Sequence, residues 1–232
     1  MFKINTGCRC IDSNIGGGIS PESVTLIYGE PETGKTTLAI QSAVSCATQN
    51  YKTLFIDCDN TFSAKRLLQL SADKFDEVAD HIILIKPKDF NEQTAVIDHI
   101  QDYTTKNFGL IVIDTFTSLY GAEVAEASGK AFGVNRELNR QLANLAQTAK
   151  IRKIPVMITS QVRSVFSELN VGVAPVATRV LKFWADTIIA MKPTDYPQTI
   201  KAILEKTRAN EQEVTCYVQI AESGIKDAEF HE

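Results

Sequence analysis

The run Gly29-Glu30-Pro31-Glu32-Thr33-Gly34-Lys35-Thr36 fits G-x-x-x-x-G-K-[ST]. It stands between an apolar run, Val24-Thr25-Leu26-Ile27-Tyr28, and an Ala- and Ser-rich stretch with helical spacing. Glycines let such a loop curl so that backbone N–H groups point at phosphate oxygens, and the following helix adds its positive end. In that context Gly29 to Thr37 form a phosphate cradle for ATP. Lys35 reaches the β- and γ-phosphates, and the Thr36 hydroxyl ligates Mg²⁺. Glu32 puts negative charge in the cradle and is expected to point outward. Leu110-Ile111-Val112-Ile113-Asp114 is an apolar strand ending in a carboxylate, which places Asp114 beside the same metal.

Two further groups stand where chemistry happens in such sheets. Phe55-Ile56-Asp57-Cys58-Asp59-Asn60 ends a strand with two carboxylates. A carboxylate here could orient and deprotonate an attacking water, or it could solvate the loop or cap the next helix. Gln161 follows Thr159-Ser160 at the carboxyl edge of an apolar run, the edge where ligands bind in open α/β sheets. It could sense a γ-phosphate or cap the loop.

The elements that must position these residues alternate along the chain. Apolar runs at 24–28, 53–57, 82–85, 110–114 and 155–160 read as strands, and the segments 35–49, 64–72, 91–105 and 134–150 read as helices. That pattern predicts an α/β fold, a mostly parallel sheet with helices on both faces. Runs at 187–191, 199–204 and 214–220 follow without helical spacing between them and predict an antiparallel extension. The segments 120–133 and 163–182 read as long loops, which are functional or disordered in compact domains. No repeat or linker divides the chain, so residues 1–232 are expected to form one domain.

Composition bounds the rest. The chain has 232 residues, 44% of them hydrophobic, too apolar for a disordered polymer. A net charge of −4 does not advertise nucleic-acid binding, although a local basic segment can still supply it. No run of 18 apolar residues suggests a membrane span, and no secretory signal follows Met1. Five cysteines, an odd number, fit a reducing cytosol better than a disulfide scaffold. Cys8 and Cys10 form a C-x-C, but no second pair completes a zinc site, so buried thiols are expected. His81, His99 and His231 are scattered and read as structural or surface residues.

Taken together, these residues resemble the RecA/RadA recombinase family, and within it a short archaeal paralogue of the main recombinase. Asn5-Thr6-Gly7 with Gly16-Gly17-Gly18-Ile19 resembles the family's entry to the core. Ile56 to Phe62 resembles I-D-T-E-G-T-F, with Arg66-Leu67 at the R-L that follows. Asp114 to Thr117 resembles D-S-L-T, Ile158 to Val162 resembles V-T-N-Q-V, and Gly224-Ile225-Lys226-Asp227 resembles G-I-x-D. The resemblance implies a RecA-type P-loop ATPase core that binds ATP and Mg²⁺. It puts Asp59 at the family's catalytic Glu and Gln161 at its nucleotide-sensing Gln. It also makes the two long loops DNA-facing, with Lys130, Arg163, Arg179 and Lys182 as phosphate contacts.

The departures carry expectations too. Asp59 is one methylene shorter than Glu, so ATP hydrolysis is expected to be weak. No N-terminal helical DNA-binding domain and no convincing polymerisation segment is seen, which puts a filament in doubt while leaving an oligomer open. The implied role is a DNA-binding helper or regulator in recombinational repair. Single-stranded DNA, the main recombinase and other recombination proteins are its expected partners. The rivals are a KaiC-like ATPase and a nucleotide-switched protein-interaction module without a DNA role.

Overall fold

Strands that are buried on both faces show as unbroken apolar runs, and five of them, at 24–29, 53–57, 110–114, 156–160 and 187–191, lie side by side here. The structure, a computed structural model, describes residues 3–126, 131–167, 170–175, 177–208 and 212–229, with main chain alone at 163–167, 170–175 and 178. A short helix α1 (Arg9–Asn14) precedes β1 (Val24–Gly29), α2 (Lys35–Thr48), β2 (Lys52–Asp57) and α3 (Ala64–Ser71). A 3₁₀ turn leads to α4 (Phe75–Ala79), β3 (Ile82–Ile85), α5 (Phe90–Asp98), α6 (Ile100–Tyr103) and β4 (Phe108–Asp114). Then come α7 (Ser118–Glu126), α8 (Ala131–Arg152), β5 (Val156–Ser167), β6 (Asn170–Pro175) and α9 (Thr178–Trp184). The chain closes with β7 (Thr187–Pro193), β8 (Thr199–Lys206), β9 (Val214–Ala221) and β10 (Gly224–Asp227).

The sheet order is β10-β9-β8-β7-β1-β5-β4-β2-β3, with β6 paired to the far end of β5. From β3 to β7 every neighbouring pair is parallel, and β8, β9 and β10 add antiparallel strands. The fold is therefore mixed α/β with a mostly parallel sheet and a C-terminal antiparallel series. Period-2 alternation sends Ile111, Ile113, Val156 and Ile158 to the face covered by α5, α8 and α9. Leu110, Val112, Met157 and Ile189 point to the opposite face, with Leu38 and Ile40 of α2 and Ile11 of α1.

Several expectations need correction. The segment 120–133 is not a long loop. Ser118–Glu126 is helical and α8 begins at Ala131, because the Ala and Glu residues favour helix and Tyr120 and Val124 pack against the core. The segment 163–182 is likewise a β5–β6 hairpin followed by α9. With α9 as its crossover, β7 joins the sheet parallel to β1, so the antiparallel series starts at β8. The helix expected over 91–105 breaks at His99 into α5 and α6. Cys10 and Cys216, read as unpaired thiols, form a disulfide, because α1 packs against the edge strands and closes a sequence separation of 206 residues.

The N-terminal segment is fastened to the C-terminal strand from several sides. Gln41 of α2 donates to the carbonyls of Thr6 at 2.7 Å and Ile225 at 2.8 Å, and accepts from the Ile225 N–H at 2.7 Å. The Asp227 carboxylate accepts from the N–H groups of Arg9 and Cys10 at the start of α1. An anion at that end also favours the helix dipole.

Candidate nucleotide site and the family it belongs to

The site grows from the centre of the sheet. β1 lies between β5 and β7 and ends at Gly29, where a Cβ would stand 2.2 Å from the Met191 carbonyl oxygen. Only glycine lets β7 approach that closely. The loop closes at Gly34, which has φ +88°, in the region that costs other residues steric strain. From there α2 starts with no side-chain cap and no acidic residue in its first turn. Its leading N–H groups are unsatisfied within the helix and face the loop as an anion-binding end.

The loop is braced by its own side chains. Thr33 Oγ1 donates to the Glu30 carbonyl at 2.8 Å, and Lys35 Nζ donates to the same oxygen at 2.6 Å. Lys35 is only 7% exposed, and burial pushes its pKa down while the carboxylates of Asp114 and Asp59 pull it back up. A buried ammonium held by one neutral carbonyl and facing carboxylates is poised for a stronger anion. Beside it a cavity of about 210 Å³ is lined by Glu32, Gly34, Lys35, Thr36, Thr37 and Ile220. Pro31 and Glu32 are exposed.

At the end of β4, Asp114 is fully buried. Its carboxylate accepts from the hydroxyls of Thr159 and Thr36, and from Thr61 at 3.5 Å. Burial raises its pKa, and the bonds from Thr159 and Thr36 oppose that rise. The two candidate metal residues, Thr36 and Asp114, are thus in hydrogen-bond contact. A hydroxyl and a carboxylate beside a phosphate cradle are oxygen donors of the kind a hard divalent cation takes.

The two carboxylates at and just after the end of β2, Asp57 and Asp59, separate into different tasks. Asp57 is fully buried. It accepts from the N–H groups of Thr61 at 3.0 Å and Phe62 at 3.1 Å, and pairs with Lys86 at 3.2 Å. It ties down the turn 57–62. Asp59, on that turn, faces the site, where it accepts from the Ser118 hydroxyl and from Gln161 Nε2 at 3.3 Å. The fold therefore brings Asp59, on the turn after β2, together with Gln161 of β5. Thr159 and Thr61, which hold Asp114, lie inside segments that carry the resemblance, whereas Ser118, which holds Asp59, carries no motif signal of its own.

Comparison with known proteins decides the family. The Rad51 family model matches residues 1–228. This chain belongs to the Rad51 family. It is 33% identical over 229 residues to the DNA repair and recombination protein RadB of Thermococcus kodakarensis, covering 97% of this chain and 100% of that one. It is 31% identical over 216 residues to the protein of that name from Methanococcus maripaludis, covering 93% and 96%. A solved crystal structure of the RadB recombinase superposes with a TM-score of 0.82 at 32% identity, covering 97% of this chain and 100% of that one.

For a Rad51-family chain the expected DNA contacts fall unevenly. Lys130 and the side chain of Arg163 lie outside the described residues. Arg179 is exposed on α9. Lys182, also on α9, pairs with Glu205 of β8 at 2.6 Å and lies 5.3 Å from the centre of the Tyr28 ring. Tyr28 OH donates to the other oxygen of Glu205 at 2.5 Å. Lys182 is thus engaged inside the protein, on the residue that precedes the phosphate loop.

The remaining candidates have structural partners. Cys8 donates to the Ile225 carbonyl at 3.4 Å, and burial pushes its thiol up to about 12. His81 contacts the Glu77 carbonyl and Asn50, and His99 the Ala95 carbonyl, while His231 lies outside the described residues. Among the described residues no cluster of His, Cys, Asp and Glu could hold a metal ion, and no helix is long and apolar enough to cross a membrane.

Proposed function

We propose that this protein acts in DNA repair and recombination as a RadB-type member of its family, binding ATP with Mg²⁺ at Gly29–Thr37 and binding single-stranded DNA. The observation that carries the nucleotide reading is the convergence of buried Lys35 with the Thr36–Asp114 pair at the uncapped start of α2. In this reading Lys35 leaves the Glu30 carbonyl for phosphate, and Thr36 and Asp114 hold the metal. The ion, once bound, neutralises phosphate charge. Whole-length likeness to proteins named for DNA repair and recombination supports the DNA role.

Asp59 is the residue positioned to orient and accept a proton from water, with Gln161 beside it at 3.3 Å. Two features make turnover slow. The carboxylate ends about 1.5 Å short of a glutamate, the length of one C–C bond. Both its oxygens are also engaged, by Ser118 and Gln161, so a water must displace one of them. Weak turnover fits a helper or regulator of the main recombinase better than a strand-exchange engine, and RadA-type proteins are the partners to test.

Calorimetry with ATP and Mg²⁺ tests the site. Lys35→Ala should lose ATP affinity by at least tenfold, since a charge-assisted phosphate contact is worth more than about 1.4 kcal/mol. Asp59→Asn should bind ATP like wild type and lower single-turnover hydrolysis. Unchanged affinity in Lys35→Ala would remove the nucleotide assignment. Unchanged hydrolysis in Asp59→Asn would place the base elsewhere.

A further inference from the structure

A serine hydroxyl has one proton to donate, and Ser118 gives its proton to the Asp59 carboxylate. Ser118 is the first residue of α7, where serine hydroxyls commonly bond the local backbone instead. The first turn of α7 has no acidic residue of its own. Asp59, arriving from the turn after β2, is the anion held at that end, where the helix dipole also favours negative charge. The two bonds on Asp59 differ in kind. Gln161 holds Oδ2 at 3.3 Å from an exposed side chain, which is free to swing away. Ser118 is pinned. Its N–H donates to the Thr115 carbonyl at 3.1 Å, and Leu119 packs against the core. Tyr120 is buried, meets Phe90 edge to face at 6.1 Å and donates to Asn135 of α8 at 2.6 Å.

The donor is thus fixed on a wedged helix, while the acceptor sits on a turn. Asp59 lies close enough to Lys35 and Asp114 to act on their charge, so it faces the nucleotide site with Oδ1 already taken. A donor that merely supported a base would leave the other oxygen open to water. Here Gln161 covers it. We propose that Ser118 is a latch on Asp59, a positioning residue that keeps the base occupied and bound ATP intact. This rests on the reading of Asp59 above and adds its regulation. In the step that the latch restrains, a water oxygen bonds to the γ-phosphorus and the bond to the bridging oxygen of ADP breaks. A water proton passes to the Asp59 carboxylate. Oδ1 is open to that water only when the Ser118 hydroxyl lets go, so loss of the hydroxyl speeds the reaction. A serine that props Asp59 for catalysis has the opposite sign.

The test is single-turnover hydrolysis by the full chain with ATP·Mg²⁺, alongside ATP affinity by calorimetry. Ser118→Ala should hydrolyse ATP roughly 10- to 150-fold faster than wild type, the worth of one hydrogen bond to a charged group. Its ATP affinity should be that of wild type, so the change falls on the chemical step and not on binding. Ser118→Val should also be fast. Ser118→Thr, its equal in shape with a hydroxyl restored, should fall back toward the slow wild-type rate. That pair carries the comparison if alanine unsettles α7. Adding Asp59→Asn to Ser118→Ala should erase the gain. If Asp59→Asn is slower than wild type while Ser118→Ala and Ser118→Val bind ATP normally and are no faster, the latch is wrong and the reading of Asp59 stands. A gain that survives in the Asp59→Asn background does not pass through Asp59 and overturns both.

Discussion

Replacing Asp57 with asparagine should damage hydrolysis and stability together while sparing nucleotide affinity. Asp57 is fully buried and takes two main-chain N–H groups, from Thr61 at 3.0 Å and Phe62 at 3.1 Å. Hydrogen bonds to a charged group contribute about 1.5–3 kcal/mol each. An amide of the same shape keeps one acceptor oxygen and turns an NH₂ toward the other N–H. One charged bond is lost and the second becomes a neutral one, for a total of about 2–4 kcal/mol. The Lys86 partner is 41% exposed, so loss of that screened pair adds under about 1 kcal/mol. In a domain of this size 1 kcal/mol moves Tm by about 2–4 °C, so a fall of roughly 4–20 °C is expected. The turn 57–62 also carries Asp59, so single-turnover hydrolysis should drop. ATP affinity by calorimetry should stay at the wild-type value, because Lys35 and Thr36 are not on that turn. A variant with wild-type Tm and wild-type turnover refutes the argument that Asp57 positions Asp59.

Gly34→Ala should abolish ATP binding in calorimetry, since φ is +88° and a Cβ would meet Ile225 Cδ1 at 2.9 Å. Thiol titration of the unfolded, unreduced protein should count three groups, Cys8, Cys46 and Cys58, and reduction should raise the count to five. Five thiols without reductant would contradict the Cys10–Cys216 bond. Arg140 holds the Asp98 carboxyl below the usual carboxylate range, chiefly through its hydrogen bonds. A depressed folded-state pKa contributes stability that is present above the unfolded pKa and is lost as pH falls through the folded one. Arg140→Ala should therefore cost about 0.2–1 kcal/mol at neutral pH and nothing once Asp98 is protonated in both states. Urea titrations at neutral and strongly acidic pH check this.

How much of this was legible in the sequence depended on how each segment is buried. β1, β4 and β5 are apolar on both faces and read as runs. The phosphate loop read directly, because its chemistry sits in consecutive residues. Segments whose order comes from packing read poorly. The turn-forming residues between Val162 and Leu181 suggested a loop, yet Val180, Leu181 and Trp184 bury one side of α9, and finding that helix changes β7 from antiparallel to parallel. Spacing alone does not separate Asp57 from Asp59; only the resemblance singles out Asp59. The turn makes one an internal anchor and leaves the other facing the site. Ser118 lies far from Asp59 in sequence, and Cys10 is 206 residues from Cys216, so no spacing pairs them. Lys182 looked like a free cation until β8 brought Glu205 to it.

That last contact connects the two halves of the account, because Lys182 shares Glu205 with Tyr28, the residue before Gly29. Under the proposed function, nucleotide in the loop and DNA at Arg179 of α9 would act on one cluster. The most direct measurement is anisotropy of a labelled single-stranded oligonucleotide at fixed salt, without nucleotide and with ATP·Mg²⁺, for wild type and Lys35→Ala. The account predicts that wild type binds DNA with an affinity that ATP changes, and that Lys35→Ala binds it with an affinity ATP leaves alone. No DNA binding by wild type, or a wild-type affinity indifferent to ATP, would contradict it.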